Sequence, residues 1–135
     1  MAIIEDIGMT QDEVLSVLEP APAGEYTVSF TGFLKTEAGS FVHATKKGGR
    51  MVKAKLRIES ADPKANGKTL IHMGVLGTFG FAMLAQRFPI MSGTGITEEE
   101  ALGRSCKANV IVDKYTNPET GETNLSNKIS KMWAL

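Results

Sequence analysis

Apolar and polar residues alternate with a period of two over several short stretches of this chain. Tyr26, Val28 and Phe30 alternate with Thr27, Ser29 and Thr31. Over Met51 to Glu59, Val52, Ala54, Leu56 and Ile58 alternate with Lys53, Lys55 and Arg57. Cys106, Ala108, Val110 and Val112 alternate with Lys107, Asn109, Ile111 and Asp113. This period predicts strands with one face on a core and the other open. Two further strands are predicted. Lys68 to Val75 would put Ile71, Met73 and Val75 on one side. Asn124 to Trp133 would put Leu125, Ile129 and Trp133 on one side, with Trp133 as core. Helical spacing appears over Gly77 to Phe88, where Phe79, Met83 and Leu84 share a face and Pro89 ends the run. A short helix is expected over 97–102, with Glu98, Glu99 and Glu100 in its first turn and Gly103 at its end.

Ahead of these elements, Thr10-Gln11-Asp12-Glu13 reads as a capping box. It opens a short helix over 10–18 with Val14, Leu15, Val17 and Leu18 as its apolar stripe. Such a helix is too short to be stable alone and must dock on the body, a second copy or a partner. Pro20-Ala21-Pro22-Ala23-Gly24 is a stiff connector. The expected organisation is an N-terminal arm, 1–22, and one domain, 23–135. Gly32 and Gly74 interrupt strands and predict bulges or bends. Turns are expected at Asn66-Gly67 and Asn117-Pro118-Glu119-Thr120-Gly121. Five short strands with a helix between the third and fourth predict a mainly β protein, a five-stranded OB-fold barrel. That fold binds oligonucleotides on the face of strands 2 and 3, with the 1–2 and 4–5 loops around it.

The chain has 135 residues, fifteen basic and fifteen acidic, so its formal charge is zero. That balance hides an asymmetry. Residues 1–25 carry six acids and no base; the rest carries fifteen bases against nine acids, a net +6. An acidic lead before a basic body points to an interaction arm or a self-screening segment. The single cysteine, Cys106, excludes an intrachain disulfide and reads as a small core residue. No apolar run approaches the ~20 residues of a membrane span. The N-terminus lacks the basic residues of a signal peptide. A cytoplasmic protein is expected.

Seven of the fifteen bases fall between Lys35 and Arg57: Lys35, Lys46, Lys47, Arg50, Lys53, Lys55 and Arg57, with Glu37 the only acid. The stretch begins as a polar loop containing Phe41 and His43 and ends as the alternating strand. Cations on a pleated face beside a basic loop with an aromatic suit a polyanion with stackable bases. Lys114 and Tyr115 join the candidate site from the 4–5 loop. A plain solvated strand face would show the same alternation. The other reading is an OB-like assembly module that works through its acidic arm and the helix at 10–18, without nucleic acid.

Four short runs carry a resemblance. They are Ala23-Gly24-Glu25-Tyr26, Asn66-Gly67-Lys68-Thr69, Leu102-Gly103-Arg104, and the Asn117 to Asn127 hairpin ahead of Ile129 and Trp133. With them, most of residues 23–135 is similar to small phage- and prophage-encoded OB-fold proteins that bind single-stranded DNA. The resemblance implies cooperative, largely sequence-independent strand binding in replication or recombination, in the host cytoplasm if phage-encoded. A homo-oligomer is expected. Many such proteins recruit partners through an acidic C-terminal tail. Here the acidity lies at the N-terminus, so replication or recombination proteins would meet that arm.

Catalytic readings find little support. Gly67-Lys68-Thr69 resembles the tail of a phosphate-binding loop, but the glycine required five residues earlier is Asp62. His43, His72 and Cys106 lack metal-ligand spacing. No enzyme, cofactor or metal is expected.

Overall fold

A computed structural model describes residues 4–16 and 19–135. Alternation in the sequence becomes a single antiparallel sheet. In β3 (Arg50–Glu59), Val52, Ala54, Leu56 and Ile58 are all fully buried. β3 pairs on one side with β1 (Gly24–Phe33) and on the other with β4 (Thr69–Val75). β1 also pairs with β7 (Ser105–Thr116), and β7 with β8 (Thr123–Trp133). The two-residue β2 (His43–Ala44) adds to β3 as a hairpin. The six-stranded sheet is open, because β4 and β8 at its two ends share no ladder. Closure into a five-stranded barrel is therefore corrected. α2 (Phe79–Arg87) packs on both β4 and β8, which also approach each other directly without pairing.

Two ladders were too short to show as alternation: β2, and the pair β5 (Met91–Ser92) with β6 (Gly95–Ile96). They change the expected element order. Counting every strand, α2 follows the fourth and is separated from β7 by the β5–β6 hairpin. The helix expected over 97–102 is corrected to one isolated turn, closed by the Ala101 and Leu102 amides on the Glu98 carbonyl at 3.1 Å each. Gly103, with φ +79°, ends the segment after that one turn.

Two bulges decide which side chains reach the core. In β1, Phe30 pairs with Leu56 and Gly32 with Lys55, leaving Thr31 as the extra residue. Gly32 has φ +126°, which side chains rarely adopt. The extra residue lets Phe30 and Phe33 both point inward, with ring centroids 5.1 Å apart, edge to face. The Glu98 carboxylate accepts the Phe33 amide at 2.9 Å and pins the loop on the bulge.

In β8, Asn109 pairs with Lys131 but Val110 with Ile129, so Ser130 is extra. Side-chain parity reverses there. Met132 enters the core, and Trp133 turns outward opposite Lys107. Trp133 was expected beside Ile129; the bulge is why it is not. In β4, Ile71, Met73 and Val75 share one side as expected, and that side is the open one: Leu70, His72 and Gly74 face the core, whereas Ile71 and Met73 are exposed. Both of its faces carry apolar residues, so alternation alone left its orientation ambiguous.

The core centres on Phe30, Leu56, Ile58, Leu84, Phe88 and Ile90. Gly74 is buried because α2 crosses there; a Cβ would lie 3.0 Å from the Phe81 Cα. The His72 Nε2–H donates to the Gly80 carbonyl at 3.0 Å and ties β4 to the same helix. At the N-terminus, α1 (Gln11–Ser16) leaves Val14 and Leu15 exposed. Val17 and Leu18 of its expected stripe lie outside the described residues. Ala21 of the connector is buried, and its backbone N–H and C=O are both hydrogen-bonded by the Asn127 side chain, at 2.8 and 2.9 Å. Among the described residues, no helix is long and apolar enough to cross a membrane.

Candidate nucleic-acid interface

Strand alternation sends Lys53, Lys55 and Arg57 to the outer face of β3. Register sets their neighbours. Lys53 lies opposite Met73, Lys55 opposite Ile71 and Arg57 opposite Thr69 on β4. On the other side Ser29 of β1 faces Arg57. Opposed residues in an antiparallel pair share a face. The surface is therefore a row of cations beside a row of exposed apolar side chains, with Met73 56% accessible.

The loop from Leu34 to Gly49 is built by local hydrogen bonds. The His43 Nε2–H donates to the Leu34 carbonyl at 2.9 Å. The Thr45 amide donates to the Gly49 carbonyl, and the Thr45 Oγ1 accepts the Gly49 amide at 2.8 Å. Gly48 takes φ +83° to close this turn. Lys46 and Lys47 stand exposed at its tip, and Arg50 at its base is exposed where β3 begins. The hairpin thus continues the cationic row of β3. Phe41 is partly buried against Phe33, with centroids 5.3 Å apart, and the Lys35 ammonium lies 5.4 Å from its ring centroid. Phe41 anchors the loop to the core and holds Lys35 as it does so.

Charge on this face is largely uncompensated. Among the described residues, Lys35, Lys46, Lys47, Arg50, Lys53 and Lys55 make no ion pair. Arg57 does, at 3.9 Å from Glu59, whose carboxylate also accepts the Ser29 hydroxyl at 3.2 Å.

Lys114 and Tyr115 are not brought to the same place. Both are exposed near the tip of the β7–β8 hairpin, on opposite sides of it. β7 runs antiparallel to β1, so this tip lies beyond the Gly24 end of the sheet, whereas Lys46 and Lys47 lie beyond the Phe33 end. The hairpin is braced by Asp113 and Lys128 at 2.7 Å, and this contact holds the Asp113 carboxyl below its usual range. The candidate residues thus form one continuous group on β3 and its hairpin, and a separate pair at the far end.

Several exposed apolar groups were missed from sequence. Phe79 was grouped on one helix face with Met83 and Leu84, which are buried, but is 78% accessible at the first position of α2. Ile71 and Met73 were grouped on one side of their strand without a choice of face, and that side is the open one. The hydrophobic spacing of these segments fits either orientation. A hint lay in Gly74 and Gly80, since residues without side chains mark where helix and strand approach.

No protein-family model matches the sequence, and no curated protein matches it.

Proposed function

We propose that this protein binds single-stranded DNA without sequence selection, on an OB-type framework, as an accessory of phage-type replication or recombination. The observation that carries the reading is the outer face of β3, whose cations are unpaired except for Arg57. Lys53, Lys55 and Arg57 run along it, Lys46, Lys47 and Arg50 extend it, and Ile71 and Met73 border it. Cations release counterions from phosphates. Exposed apolar and aromatic groups offer contact to unpaired bases, which a duplex keeps stacked inside. Five long antiparallel strands with an open seam support the framework, since an OB-fold is a partly open barrel that binds on the face of its second and third strands. Among the long strands, that face corresponds to β3 and β4.

The test is fluorescence anisotropy of a labelled poly-dT oligonucleotide at low and at moderate salt, with a duplex control. Binding that weakens steeply with salt and favours the single strand is expected. No binding at low salt would reject the reading. A second reading, an assembly module, is favoured by Val14 and Leu15, which α1 leaves 43% and 46% accessible. A groove occupied by that helix would be insensitive to salt, and its natural occupants are a second copy of the chain or a replication or recombination protein.

A further inference from the structure

The geometry points to a base-binding subsite at Trp133, separate from the cationic face of β3. It rests on the single-strand reading above and deepens it.

The Ser130 bulge turns Trp133, the only tryptophan of the chain, out of the core. Its side chain stays partly exposed and lines a solvent-open hollow of about 600 Å³ with Glu25, Asn109, Ser130 and Lys131. Among the described residues its ring has no aromatic or cationic partner, and its indole N–H donates to none of them.

The polar groups of the hollow select the kind of ligand. The Asn109 Nδ2 donates to the Ser130 hydroxyl at 2.7 Å, which orients the amide and leaves its Oδ1 without a donor among the described residues. That oxygen and the Glu25 carboxylate are acceptors. They suit the N–H groups of a nucleobase and repel a phosphate. Lys131, paired opposite Asn109, lines the hollow, and Lys107, paired opposite Trp133, lies on the same sheet face. They are placed to meet the phosphates on either side of a bound base. An aromatic ring, acceptors in the hollow, a cation at its wall and another on the same sheet face together fit one unpaired nucleotide of a strand.

The test uses the full chain and a poly-dT oligonucleotide. Tryptophan emission is followed while anisotropy of the labelled strand reports binding. Quenching that saturates together with the anisotropy is expected, and because Trp133 is the only tryptophan the signal has one source. Trp133→Ala should bind about 5- to 150-fold more weakly, the range for removing one base stack, and Trp133→Phe should recover most of that. The quenching measurement needs no variant, so a folding defect in Trp133→Ala would not hide the answer. Binding by anisotropy with unchanged emission, or a folded Trp133→Ala of wild-type affinity, would overturn the subsite and leave the single-strand reading standing. No binding at all at low salt would overturn both.

Discussion

Gly74 is the residue with least room. A methyl group there would meet the Phe81 Cα at 3.0 Å and its Cβ at 3.3 Å, so β4 and α2 would have to part. Gly74→Ala should cost about 1–3 kcal/mol, the usual penalty for overpacking, read from urea melts. An unchanged midpoint would mean that α2 can shift freely on the sheet. Cys106 behaves differently because its constraint is electrostatic. Burial pushes its thiol up to about 11, with Arg87 opposing slightly. In the unfolded chain the thiol ionises near ~8.5. Between these values the unfolded state releases a proton that the folded state keeps. Stability should therefore be unaffected by Cys106 below about pH 8 and fall as pH rises toward 11. At pH 8 the native thiol should react with a disulfide reagent at least ~100-fold more slowly than in denaturant, since the thiolate is the reactive form. Equal rates would contradict the burial.

At the scale of elements, the β2–β3 hairpin and the face of β3 carry the proposed binding energy. Lys46, Lys47 and Arg50 lie in a turn held by backbone and Thr45 hydrogen bonds, none of which uses their charges. Lys46→Ala with Lys47→Ala and Arg50→Ala should therefore fold normally and bind single strands more weakly. The slope of log affinity against log salt should fall by about 0.7 for each phosphate that is no longer neutralised. A folded triple variant with unchanged affinity and slope would remove the hairpin from the interface. Lys53→Ala with Lys55→Ala tests the strand face in the same way. Its outcome is independent, because Lys53 and Lys55 project from the sheet and not from the turn.

For the whole molecule, the acidic arm opposes the basic body. Removing residues 1–18 should preserve or tighten DNA binding, since it deletes nearby negative charge from around the cationic body. Binding abolished in a folded truncation would make the arm part of the site. The cut should not reach residue 22. Ala21 is buried, Asn127 holds both its backbone groups, and the Pro22 carbonyl accepts the Tyr26 hydroxyl at 2.6 Å. A truncation through Pro22 should lose stability that the shorter one keeps, visible as a lower melting temperature.

Strict alternation was enough to read β1, β3 and the inner half of β7, together with the outward direction of Lys53, Lys55 and Arg57. Period two is a local property of the backbone, and one buried face makes it unambiguous. The bulge at Gly32 and the helix around Met83 and Leu84 were legible for similar reasons: a glycine that accepts positive φ, and a spacing that ends at proline. What the tertiary structure decided was parity and company. β4 carries apolar residues on both faces, so only packing against α2 chose Leu70 and His72 for the core. The extra residue at Ser130 leaves no mark in hydrophobicity, yet it exchanges Met132 for Trp133. Whether β4 and β8, which approach each other, would also pair and close a barrel depended on how α2 packs against both. That is set by packing between residues far apart in the chain, which a local period does not encode.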